Sequence, residues 1–204
     1  LSFKKDYKNA AEQLSYVLDI DPSDPKNWER LIWLEIFNNN YDKAIESGKK
    51  AVEYAPDELS LYQALGFAYF KKEDYSSAIA TYDTLLVRNK DIQMVDEADI
   101  HTSLGDIYQQ IGDTANAIKN YVLANEKSTR NGIDKAINQI TLGGLYFDRY
   151  EYDKAQPCYS EGVAQLPEDY QNYAMLKKRS DVLDELAVYS QNVTLQDSLL
   201  ALSK

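Results

Sequence analysis

LGFAYFKKEDYSSAIATYDTLL, running from Leu65 to Leu86, reads as two short helices joined by a polar turn. Leu65, Gly66 and Tyr69 fall at i, i+1 and i+4 on one helical stripe, and Ala78, Tyr82 and Leu85 at i, i+4 and i+7 on the next. The small residues permit close helix approach, and the aromatics fill the space beside them. Tyrosine is then mainly a packing residue with a polar tip.

The second helix recurs in register. Tyr41-x-x-Ala44 stands 34 residues before Tyr75-x-x-Ala78, and Tyr7-x-x-Ala10 another 34 before that. Downstream, Leu104-Gly105-x-x-Tyr108 precedes Ala117-x-x-x-Tyr121, and Leu142-Gly143-x-x-Tyr146 precedes Tyr152-x-x-Ala155-x-x-x-Tyr159 and ends at Pro167. A unit repeated at this spacing cannot bury its apolar face alone and must stack on its copies. The pattern resembles the tetratricopeptide repeat, with bulky, Leu, Gly and Tyr positions on a first helix and Ala, aromatic, Ala and Pro on a second. That resemblance implies an all-α, right-handed superhelical solenoid of antiparallel helix pairs, with about five repeats and a C-terminal capping helix.

Departures from the pattern set the boundaries of a single solenoid over 1–204. A partial repeat covers 1–24, repeats cover 25–58, 59–97, 98–135 and 136–169, and 170–204 forms a degenerate repeat and cap. The first unit is read as a second helix alone, from Tyr7 to Ile20, with the residues before it the tail of another helix and the chain a piece of a longer one. Asp24 is placed to cap the next helix, with Pro25 at its first position. In that unit Ile32 stands where a small residue is expected and Gly48 where an aromatic is expected, which reads as volume moved from second helix to first. Insertions near 89–97 and 128–134, the second marked by Asn131-Gly132, are each close to one helical turn and are absorbed by longer helices or loops. A first helix is expected over 170–189, after which Thr194-x-x-Asp197 can cap a separate short helix.

Composition restricts the chemistry. With 33 acidic against 22 basic residues the formal charge is -11, and no basic stripe marks a helix, so nucleic acid is not an expected partner. No apolar run reaches the length that spans a membrane. The lone Cys158 excludes an internal disulfide and a multi-cysteine metal site. The single histidine, His101, occupies a bulky packing position. Gly143-Gly144 lies inside a helical pattern, not in a phosphate loop. Asp91, Asp96 and Asp99 lack calcium-loop spacing. No cofactor, metal or catalytic residue is expected.

In the family this sequence resembles, first helices line a concave groove that contacts peptides. Carried across, that gives Glu29, Trp33, Phe37, Gln63, Phe67, Phe70, Asp106, Gln109 and Phe147, with Thr102, Gln110, Ile140 and Gly144 alongside. Two readings of the stripe stay open: anchors for an apolar segment, or side chains pressed against neighbouring first helices. The chaperone-tail subclass grips a terminal carboxylate with Lys and Asn, where this chain has Glu29, Trp33, Ala64, Asp99 and Ser103, so such a clamp is not expected. The resemblance implies a non-enzymatic scaffold for a partner protein or peptide; the alternative is a sensory or regulatory region of a larger enzyme or signalling protein. The ending also resembles the tails of repeat proteins of bacterial cell envelopes, which implies an envelope or periplasmic location ahead of a cytoplasmic one.

Overall fold

The computed structural model describes residues 2–92, 95–129 and 132–202. Among them are ten helices and no strand: α1 (Ser2–Ile20), α2 (Pro25–Phe37), α3 (Tyr41–Tyr54), α4 (Leu59–Lys71), α5 (Tyr75–Ile92), α6 (Glu97–Gln110), α7 (Thr114–Lys127), α8 (Ile133–Asp148), α9 (Tyr152–Gln165) and α10 (Tyr173–Leu202). The chain divides into two compact units, Leu1–Asp113 and Thr114–Lys204. In the first, α2 packs on α3 and α4 on α5; in the second, α8 packs on α9 and α9 on α10. The fold is all-α, with consecutive helices packed in pairs within each unit.

Within pairs, a glycine of the first helix meets a tyrosine of the second. A Cβ built on Gly66 would stand 2.9 Å from the Tyr82 ring, and one on Gly143 2.8 Å from the Tyr159 ring. Both rings are almost wholly buried. Gly48 differs from the expected swap within its own pair: a Cβ there would meet Leu65 Cδ1 at 2.8 Å, so its space is filled by the first helix of the following pair. Ile32 is buried in the same cluster.

The turns repeat as closely as the helices. Asn39, Glu73, Gly112 and Tyr150 each take a left-handed conformation, with φ between 60° and 78°, at the middle of a three-residue link. The following residue closes each turn by donating its N–H five residues back: Asn40 to Glu35, Asp74 to Tyr69, Asp113 to Tyr108 and Glu151 to Tyr146, at 2.8–3.0 Å. This bond satisfies a helix-end carbonyl that would otherwise lack a partner. Asp24 caps α2 as expected, accepting from Lys26 N at 3.0 Å with Pro25 at the first position.

Three expectations are resolved by helix length. The first inserted turn lengthens α5 to 18 residues against 14 in α3. In its last turn, Asn89 donates to Val95 O at 2.7 Å and accepts from Val95 N at 2.9 Å, holding the link to α6. For the second insertion, Asn131 lies outside the described residues, and α8 runs for 16 residues. The expected tail of a separate helix before Tyr7 is instead part of α1, continuous from Ser2. Likewise Thr194 caps no separate helix, because α10 is one helix of 30 residues. No Gly or Pro lies between 173 and 202 to stop it, and an Ser/Thr capping signal cannot compete with continued i, i+4 bonding.

The Gly143 contact yields a test of sign. Gly to Ala inside a helix ordinarily gains about 1 kcal/mol of propensity, but here the methyl would overlap a buried ring and cost ~1–3 kcal/mol. Gly143→Ala is therefore expected to lower the urea or thermal midpoint, while Gly132→Ala, with open space around its Cβ, leaves it nearly unchanged. A Gly143→Ala protein melting at or above the parent contradicts the packing described.

Candidate functional site

Gly66 faces α5, so Phe67, rotated by about 100° along the helix, emerges on a different side of α4. There it meets Trp33 of α2, with ring centroids 5.3 Å apart. The contact belongs to an unbroken path: Tyr7 to Phe37 at 5.8 Å, Phe37 to Trp33 at 6.3 Å, Phe67 to Phe70 at 6.2 Å, and Phe70 to Tyr75 at 6.1 Å. Trp33, Phe67 and Phe70 are half-buried, and Phe37 is exposed. Lys71 Nζ lies 5.1 Å from the Phe67 centroid and 5.8 Å from that of Phe70, within cation–π range. The rings thus touch neighbouring helices and still present surface, so the two readings of the stripe are compatible.

Polar groups flank this path. Glu29, one turn before Trp33, accepts a 3.2 Å hydrogen bond from Ser60 Oγ of α4. Gln63 is half-buried one turn before Phe67. Asp106 and Gln109 are exposed on α6. Burial pushes the Tyr82 phenol up to about 12, against a lowering hydrogen bond with Ser103 and with a further rise from the Asp106 charge.

Phe147 lies in the other unit. Its ring meets Tyr152 edge-on at 5.4 Å and lies 5.5 Å beneath the Arg179 guanidinium, which donates to Tyr159 Oη at 3.0 Å. The structure therefore gathers Glu29, Trp33, Phe37, Gln63, Phe67 and Phe70 on α2 and α4, with Asp106 and Gln109 on α6. Tyr7, Lys71, Tyr75 and Arg179 join these surfaces without having been singled out from sequence. Tyr7 and Tyr75 were assigned to packing by their motif, whereas the spacing of Lys71, four residues after Phe67, could have indicated it.

A groove of about 810 Å³ opens between α1 and α2, lined by Tyr7, Leu14, Val17, Trp33 and Phe37 among others. Cys158 is half-buried on α9, and burial first, then the Glu161 charge, pushes its thiol up to about 11. His101 lies on α6, in the other unit. Among the described residues no group of three or more His, Cys, Asp or Glu is placed to hold a metal ion, and no helix is long and apolar enough to cross a membrane.

Residues 29–91 and 64–128 match a family model described as Tetratricopeptide repeat. Among curated proteins, the chain is similar to "Protein STIP1 homolog" of Dictyostelium discoideum, 24% identical over 82% of this chain and 28% of that protein. It is also similar to "Peroxisomal targeting signal receptor" of Yarrowia lipolytica, 28% identical over 70% of this chain and 24% of that protein. The chain spans about a quarter of the length of these relatives. Among solved structures, MamA superposes with a TM-score of 0.67 at 22% identity, over 80% of this chain and 91% of that one. YrrB, titled a TPR protein with an unusual peptide-binding site, gives 0.61 at 15% identity, over 89% and 99%. At such identities the structural likeness is one of fold.

The Cys158 environment predicts slow chemistry. With its thiol near 11, only about one molecule in a thousand is thiolate at pH 8. Disulfide-exchange labelling of the folded protein is expected to run at least tenfold slower than in urea. Equal rates in the two conditions contradict the burial described.

Proposed function

Because the chain belongs to the tetratricopeptide repeat family, we propose that it is a non-enzymatic scaffold that holds a partner protein or peptide against the aromatic path of α2 and α4. The observation that carries this reading is the run of rings from Tyr7 to Tyr75, half-exposed over several helices and bordered by Lys71 and Glu29. Half-buried aromatics already held by neighbours lose little conformational freedom on binding, and such side chains dominate interface energetics. A segment laid along them would bury apolar side chains on Trp33, Phe67 and Phe70. The Glu29 carboxylate favours an amide-bearing or basic group beside them. One relative is named as a receptor for a targeting signal and one structural neighbour as having a peptide-binding site. Both names accord with a partner of this kind.

In this account the face of α3 is a bystander. Lys50 there is engaged with Glu46 at 2.8 Å and serves as a control. A partner isolated on the immobilised chain and titrated by calorimetry is expected to lose ~2 kcal/mol or more of binding when Trp33, Phe67 or Phe70 is truncated to Ala, and little with Lys50→Ala. Unfolding midpoints of the same variants separate lost binding from core damage. A triple-alanine protein that stays folded and binds as tightly as the parent eliminates this surface.

A further inference from the structure

We infer that the cleft where α10 passes α8 binds an internal segment of a partner polypeptide in which a carboxylate side chain is flanked on both sides by apolar residues. The cleft has a volume of about 270 Å³ and is lined by Phe147 of α8 and by Met175, Lys178, Arg179, Val182 and Leu183 of α10. It belongs entirely to the second unit and shares no residue with the path on α2 and α4. In a chain of formal charge -11, this lining holds two cations and no acid.

The chemistry centres on Arg179. Its guanidinium lies over two rings, 5.5 Å from the Phe147 centroid and 5.8 Å from that of Tyr159, and donates to Tyr159 Oη at 3.0 Å. Neutral groups thus hold a full positive charge. Among the described residues, Lys177 pairs with Asp181 at 3.5 Å, while no ion pair includes Lys178 or Arg179. A guanidinium presents five N–H donors in a planar fork that matches a carboxylate, and the phenol takes one of them. Rings that fix the fork in advance reduce the ordering cost of using the rest.

Apolar surface then selects among carboxylates. Met175, one turn before Arg179, is 56% exposed, and Val182, one turn after Lys178, is 46% exposed. The four residues share one helical face. Leu183 beside them is packed with Ala155 and Tyr159 of α9, which fixes the orientation of that face. Met175 and Val182 stand about 10 Å apart along α10 at 1.5 Å per residue. A ligand with an apolar residue on each side of its carboxylate covers both. A chain terminus has residues on one side only and leaves one of them bare. An extended segment with apolar residues at its first and fifth positions and glutamate at its third directs all three to one side, over roughly 13 Å at 3.3 Å per residue.

The test is a nuclear magnetic resonance titration of the isotope-labelled 204-residue chain with an acetylated, amidated pentapeptide of leucine, serine, glutamate, serine and leucine. Saturable shifts are expected at Phe147, Lys178, Arg179 and Val182. The dissociation constant should rise ~tenfold or more when glutamine replaces the peptide's glutamate, and likewise with Arg179→Gln. Lys178→Gln, at an exposed position, should raise it severalfold with unchanged helicity, and this variant decides the matter should Arg179→Gln lose helicity. A peptide of leucine, serine and glutamate ending in a free carboxylate should bind more weakly than the blocked one. Trp33→Ala should leave the titration unchanged, which separates this site from the path on α2 and α4. Absence of saturable shifts at these residues with millimolar peptide, equal binding of the glutamine peptide, tighter binding of the free-ended peptide, or loss of binding in Trp33→Ala overturns the inference.

Discussion

The α4–α5 and α8–α9 pairs depend on how closely two helices approach where a glycine on one faces a tyrosine ring on the other. At Gly66 and Gly143 the ring occupies the space that any side chain would need. That contact sets the distance between helices and buries Tyr82 and Tyr159 to about the limit. For Tyr82, burial holds the phenol neutral, raising it to about 12. The contact has a steric rather than a polar origin, so it tolerates no increment of volume while remaining indifferent to modest changes of pH.

The candidate surface follows from this constraint. With one face of α4 committed to α5 through Gly66 and another to α3 through Leu65, Phe67 and Phe70 are directed to the remaining side, where Trp33 arrives from α2. The turns hold the geometry at a cost. Asn39, Glu73 and Tyr150 adopt a left-handed backbone that glycine alone takes without strain, and only Gly112 meets that preference. The backbone bonds that close the turns five residues back, and the packing behind them, offset that strain.

The repeat itself was legible because five copies report the same register, so an error at one position is outvoted by the others. The stretches 1–24 and 170–204 were not, since they depart from the repeat pattern. Local signals there competed without correction, and a capping pattern at Thr194 lost to the continuing helix α10. The role of tyrosine was only half legible. Tyr82, Tyr121 and Tyr159 are core residues, but Tyr16, Tyr54, Tyr150 and Tyr189 are exposed, because composition does not reveal which face a tyrosine takes. Among the candidate site residues, Trp33, Phe67 and Phe70 were found by register and converge in space. Lys71 escaped notice because a cation after an aromatic helix also reads as a solvated end. Phe147 stood in the same stripe by sequence, yet its contacts are with Tyr152 and Arg179 in the other unit.

The most direct measurement is a double-mutant cycle between Gly66 and Tyr82, read by urea unfolding of the parent, Gly66→Ala, Tyr82→Ala and the double variant. If the ring is what forbids a side chain at 66, the cost of Gly66→Ala must vanish or reverse once the ring is removed, leaving a coupling well above the ~0.5 kcal/mol expected of independent sites. Additive effects of the two substitutions would contradict the account, placing the constraint on helix approach somewhere other than this contact.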